Sequence, residues 1–220
     1  DADVPRLRDQ PGKPATFPAL KDPRWIAYYN TNFGIQCTYF DQCSGNPERI
    51  NQQYANIDNK YVSTQASRSH GPVLTLRGTL PVTPSTLHRE KRMTAKVDMR
   101  YWSLCTNESM ATTRVQDCVN DEDVVTNRKG RYTIVISSAA DRPSNAVRRC
   151  GVTWVEAPRR GDGAGHPDDD LILIRNMLPS KRFTHAVQNT SKPGDEKAVM
   201  GEYLPTSTYS SVETFEKRGC

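Results

Sequence analysis

Long apolar runs are missing from this chain. The longest aliphatic stretch in its 220 residues is Leu171 to Ile174, against the roughly 20 apolar residues that a membrane-crossing helix needs, so no transmembrane segment is expected. Equally absent are a C-x-x-C pair, a G-x-S-x-G elbow, an H-E-x-x-H pair and a P-loop. Those absences remove the short signatures of zinc and redox sites, serine hydrolases, zinc proteases and nucleotide-binding enzymes. Histidine is scarce, and His70, His88, His166 and His185 are too scattered to share one helix face as metal ligands. A catalytic triad is defined by geometry rather than by chain order, so an unrecognised hydrolase stays open as a second alternative. A large charge of one sign is also lacking, since 30 basic residues meet 25 acidic ones for a net +5. The densest basic stretch, His88 to Lys96 followed by Arg100, has no stacking aromatics or recognisable module beside it. It reads as solvated surface, and nucleic acid is not expected as a partner.

What is present is a polar chain whose apolar residues are clustered. Hydrophobic residues are 35% of the total and charged residues 25%, yet the apolar ones fall in short alternating runs, which is a folded pattern and not a disordered one. Six cysteines, Cys37, Cys43, Cys105, Cys118, Cys150 and Cys220, form an even set without metal spacing and read as disulfides. The expected pairs are Cys37 with Cys43 and Cys105 with Cys118, each closing a short loop, which leaves Cys150 to hold Cys220; sequence alone does not prove that connectivity. Disulfides imply an oxidising compartment. The chain also opens DADVP, without Met or signal peptide, as an exported protein does once its leader is removed. A secreted location, extracellular or periplasmic and at the cell envelope, is therefore expected.

Residues 1–23 contain five prolines, Pro5, Pro11, Pro14, Pro18 and Pro23, and read as an extended arm that can form neither a helix nor a central strand. Residues 24–220 read as one disulfide-stapled, β-rich domain. Six runs rich in Val, Ile, Thr and aromatics read as strands: KYVSTQ, VLTLRG, AKVDMRYWSL, RYTIVIS, GVTWVE and LILIRNM. In AKVDMRYWSL, Val97, Met99, Tyr101, Ser103 and Cys105 share one face and Trp102 and Leu104 the other, which suggests a strand with both faces covered. Trp102 and Trp154 are both expected in the core. RWIAYYN (24–30) fits a helix turn or a strand, and short helices are expected after Ser85 and over 184–189. Dense strands with few helices predict a mainly β protein, an antiparallel β-sandwich or jelly-roll-like body.

Four of these segments, with one turn segment among them, also occur in a familiar order. YWSL (101–104), RYTIVIS (131–137), ADRPSNA (140–146), GVTWVEAP (151–158) and LILIRNMLP (171–179) together resemble the bacterial family called domain of unknown function 1214. The resemblance runs from residue 97 to about residue 180. Thr153 to Val155 stand where that family prefers Asn-Trp-Leu, and the cysteines are additional. It implies a mostly antiparallel β-fold, commonly in exported or envelope proteins, and no established reaction.

Two polar constellations are candidate sites. In RRGDGAGHPDDD (159–170), Asp162, Asp168 and Asp170, with Asp169, offer carboxylate oxygens to a hard cation, so calcium is the one cofactor considered; the bland reading is a solvated turn between two strands. Arg100, Asp141, Arg142 and Arg175 could form an anion-binding pocket of arginine forks, or an ordinary ion-pair network at a sheet edge. Asn107 and Asn189 begin glycosylation sequons. With no catalytic residue nominated, the expected function is non-catalytic: a structural or assembly subunit whose partners are proteins, copies of itself or other subunits, reached through the terminal arms. A monomeric module binding a glycan or small molecule is the first alternative.

Overall fold

The computed structural model describes residues 20–50, 56–87, 94, 96–109, 112 and 114–220. Most of the expected arm (1–23), the basic stretch from His88 and the helix expected after Ser85 lie outside the described residues.

The chain forms two sheets facing one another. In the first, β8 (Asp169–Pro179) lies between β2 (Asn59–Ser67) and β4 (Met99–Asn107); β1 (Ile26–Ala27) flanks β2, and β5 (Val115–Asn120) flanks β4. The second has the order β7 (Thr153–Glu156), β6 (Arg131–Ser137), β3 (Val73–Thr79), β9 (Thr206–Ser210). Every pairing is antiparallel except the parallel β6–β7 pair. The expectation of a mainly β, mostly antiparallel sandwich with few short helices holds.

Register explains the burial. Val62, Ile174 and Leu104 are aligned across β2, β8 and β4, and Thr64, Ile172 and Thr106 form the next row; all six are buried. From the other sheet Leu74, Leu76, Ile134, Ile136 and Val155 complete the same core. Trp102, 1% exposed, meets Tyr132 at 5.8 Å between ring centroids, so one aromatic contact joins the layers. β6 reads as an unbroken apolar run because it is covered on both faces. Its Val135, with Val73 of β3, packs outward against Ala146, Val152 and Phe215 of the short helix Val212–Glu216.

Several local readings change in the structure. On β4 the core face is Trp102, Leu104 and Thr106, while Tyr101 and Cys105 are half-buried on the outer face. There Cys105 lies directly opposite Cys118 and bonds to it. Trp154 is half-buried rather than in the core: Arg142 lies over its ring at 4.3 Å and its Nε1 donates to Ser137. The segment 184–189 yields only the short 3-10 turn Val187–Asn189. A helix that the sequence does not advertise spans Thr31–Phe40, where the Asn30 side chain caps the Phe33 N–H at 2.8 Å. The three disulfides are the expected ones, with Cα–Cα separations of 4.3, 4.1 and 4.5 Å.

The two long sides of the sandwich close differently. Where β5 and β7 meet, the Glu156 N–H donates to Asp117 at 2.9 Å and the Thr106 hydroxyl to the Glu156 carbonyl at 2.6 Å. On the opposite side the edge strands are β1 and β9, and Phe183, Ala186, Val187 and Met200 reach into the core there.

Gly78 is where the inner aromatic layer leaves no room. A Cβ there would stand 2.7 Å from the Tyr132 hydroxyl oxygen, and that ring is 2% exposed and fixed by Trp102. Gly78→Ala is therefore expected to lower unfolding free energy by about 1–3 kcal/mol in urea titrations. An unchanged midpoint would mean that the ring moves aside freely.

Candidate functional site

From Pro23 to Tyr29 the chain alternates strictly: Pro23, Trp25, Ala27 and Tyr29 are buried, whereas Arg24 is exposed and Ile26 and Tyr28 are half-buried. This period of two is the signature of an edge strand with one face on the core. Its ladder is short because β1 pairs with β2 only at Ile26 and Ala27. The Ala27 N–H turns instead to the Glu196 carboxylate at 2.9 Å, and the Gly194 N–H reaches the same carboxylate at 2.7 Å. Glu196 is 2% exposed, and its negative charge, after burial itself, holds the Tyr29 phenol above its ordinary pKa. One buried carboxylate thus ties the 193–200 segment to the edge of the five-stranded sheet.

Between β1 and β9 this arrangement leaves a groove of about 730 Å³, with Leu20, Trp25, Ile26, Leu204, Pro205 and Ser207 in its lining. That size is within the range of ligand clefts. Trp25 is 7% exposed, and its Nε1 is buried with no hydrogen-bond partner; the Ser207 hydroxyl is in the same condition. Buried polar atoms are normally satisfied. Both atoms belong to residues of the groove lining and are themselves covered from solvent. Among the described residues no strand lies beyond β9, so its outer backbone edge borders the same space.

The sequence pointed elsewhere. Arg100, Asp141, Arg142 and Arg175 are not brought together. Arg142 stacks on Trp154 and donates to the Ala146 carbonyl; Asp141 accepts from the Ser138 hydroxyl at 2.6 Å; both belong to the turn after β6. Arg175 lies 5.2 Å from the Tyr61 ring, opposite Ser103 in the other sheet, and Arg100 belongs to β4.

The aspartates do not converge on a cation either. Asp162, 1% exposed, accepts from the Ala164 and His166 N–H groups at 2.9 and 3.1 Å and faces the His166 ring at 3.0 Å, so its carboxylate organises its own loop. Gly161 is required beside it, having a positive φ and a Cβ position 2.0 Å from the His166 carbonyl oxygen. Asp168 is exposed and pairs with Arg68 at 3.7 Å. Asp170 is buried at the start of β8 with one oxygen unpartnered. Among the described residues no group of three or more His, Cys, Asp or Glu side chains gathers as a metal site would require. Of the two sequons, Asn107 is 2% exposed, and its amide donates to the Cys105 and Leu171 carbonyls, whereas Asn189 is exposed.

Sequence reasoning missed Trp25, Glu196 and Ser207. Trp25 carried little signal, since Trp25 to Tyr29 is a continuous apolar and aromatic run whose period of two shows only in burial. The pairing of Glu196 with a backbone 169 residues away has no signal in one sequence.

No family model matches the chain, and no curated protein matches it. Among solved structures, it is similar to the crystal structure of an uncharacterised protein from Burkholderia cenocepacia, at 15% identity and a TM-score of 0.40 over 72% of this chain. The match spans 31% of that protein's chain.

Asp170 supplies a test of the buried chemistry. Burial pushes its carboxyl up to about 8 from an ordinary 3.8; Asp169 adds to the rise and Arg68 opposes it. The folded state therefore holds a proton that the unfolded state releases, and this group's contribution to stability falls as pH rises from about 4 to about 8, then levels off. Asp170→Asn should remove that slope and gain on the order of a few kcal/mol over the wild type at pH 8 relative to pH 4, as read from urea unfolding at each pH. A difference between the two proteins that does not change with pH would contradict the burial argument.

Proposed function

We propose that the chain is an exported, non-catalytic assembly subunit that accepts an extended segment of a neighbouring copy in the groove between β1 and β9. The observation that carries this reading is a groove bordered by two sheet edges, with the β1–β2 ladder limited to Ile26 and Ala27 and, among the described residues, no strand beyond β9. A peptide laid along a sheet edge bonds to its unpaired backbone groups, and its side chains fill the adjoining pockets. The segment is residues 1–19. It joins the body at Leu20, on the groove lining. It carries the apolar side chains Val4, Leu7 and Phe17 between its prolines. A proline-rich strand loses little freedom on docking and reaches about 3.1 Å per residue, enough to cross to a second molecule.

Three disulfides support an oxidising location, extracellular or periplasmic, and among the described residues no helix is long and apolar enough to cross a membrane. The nine strands among the described residues and all three disulfides lie within residues 20–220, and the body is expected to fold without the first 19 residues. The full chain is expected to self-associate in light scattering. The chain lacking residues 1–19 should be a folded monomer that binds a synthetic peptide of residues 1–19. Leu204→Ala trims a half-buried side chain of the groove wall and should weaken that peptide about fivefold or more, as truncation of a contact residue does. A truncated protein that aggregates, or one that keeps the oligomeric state of the full chain, would sink the reading.

A further inference from the structure

The outer face of the four-stranded sheet carries a second, independent feature. On that face Arg77 of β3 lies directly across from Thr133 of β6 and Thr206 of β9, while Thr79 lies across from Arg131. Side chains directly opposite in an antiparallel pair share one face, and diagonal neighbours are about 7–8 Å apart or less. Arg77 and Arg131 therefore stand as a diagonal pair on one surface. A groove of about 590 Å³ runs over them. Its other walls are mainly hydroxyls, an amide and backbone: Thr126, Asn127, Thr206 and Gly151.

Arg24, Arg68, Arg114 and Arg159 each have a carboxylate within ion-pair distance. Among the described residues Arg77 and Arg131 have none. Other arginines, such as Arg128 and Arg182, also lack an ion-pair partner among the described residues, but here two such side chains line one groove. Arg218 adds a third positive charge close enough to Arg77 that, after burial, it lowers the Arg77 pKa. The one carboxylate on the groove is Glu202, which accepts from the Thr79 hydroxyl at 2.7 Å. Unneutralised like charges cost stability, and arginine forks match carboxylate and sulfate geometry.

We propose that this groove binds an anionic oligosaccharide, with Arg77 and Arg131 gripping a sulfate or carboxylate and the threonine and asparagine side chains meeting the sugar hydroxyls. The volume exceeds what one free oxyanion fills. Exposed stacking rings for nucleobases are missing from the groove, where the sole aromatic, Tyr132, is 2% exposed. The site borders the arm groove at Gly201, Leu204 and Thr206, but the inference rests on none of the arm chemistry.

Titration calorimetry of the full chain decides it, with a sulfated hexasaccharide, its desulfated counterpart, inorganic sulfate and a single-stranded oligonucleotide as probes. The sulfated sugar should bind, more weakly as salt rises. Arg77→Gln and Arg131→Gln should each reduce its affinity about tenfold or more, whereas Arg159→Gln, remote and paired with Glu156, should leave it unchanged. Both altered arginines are exposed, so folding is preserved, and circular dichroism confirms it. Equal binding of the desulfated sugar, equal binding of inorganic sulfate or of the oligonucleotide, or full affinity in both arginine variants would each overturn the proposal.

Discussion

The structure depends on one strand being paired along both of its edges. β8 runs antiparallel between β2 and β4, matched to β2 from Asn59 with Met177 through to Ser67 with Asp169. Such a strand must start and stop cleanly, because each backbone group inside the ladder needs its partner. Its start is set by the Asp162 loop, whose carboxylate gathers the Ala164 and His166 N–H groups and turns the chain into Asp169. Its end is set by Leu178, with φ of 45°, an unusual value for a branched side chain. Beyond that bend the chain enters the space between the sheets. Phe183, Ala186, Val187 and Met200 fill it, and Glu196 hooks the far edge.

The two sides of the sandwich differ in which polar side chains bond to strand backbone. Asp117 and Thr106 take both backbone groups of Glu156 and close the β5–β7 side without a further strand. The β1–β9 side is joined by the Glu196 carboxylate to the Ala27 N–H and by the Tyr209 hydroxyl to the Ser67 N–H, and a groove remains between its two edge strands. Edge strands are commonly protected by charge, proline or cover. β9 reads TSTYS and has none of the first two within it. The binding reading therefore falls on that side for a topological reason, independent of any likeness to another protein.

Most of the fold was legible because strands and disulfides leave local marks. Runs such as RYTIVIS and LILIRNM announce themselves by composition, and the short cysteine loops announce their pairing. β5 and β9 were not legible, since VQDCVN and TSTYS are polar and gain their strand character from neighbours that only the fold supplies. The helix Thr31–Phe40 was obscured by its glycine and threonines, which are weak helix formers; it is held by the Asn30 cap and by Phe33 and Cys37 packing on the core. The candidate sites fared worse. Clusters in sequence, such as the aspartates of 159–170, were consumed by turn geometry, while the arginines that do share a surface, Arg77 and Arg131, are 54 positions apart in the chain and meet only through strand register.

In a chain with 35% hydrophobic residues, the three staples each restrain a different element. Cys37–Cys43 ties the end of the helix Thr31–Phe40 and Cys105–Cys118 locks the β4–β5 pair on its outer face. Cys150–Cys220 spans 70 residues, and in the chain-entropy picture a loop of that size restricts the unfolded state by on the order of 4 kcal/mol. Its structural effect is specific. It fixes the end of the chain beyond the helix Val212–Glu216, whose Phe215 covers Val73 and Val135. Without that cover the outer face of β3 and β6 would expose Val73 and Val135, so the last bond of the chain holds the lid over a second, smaller core.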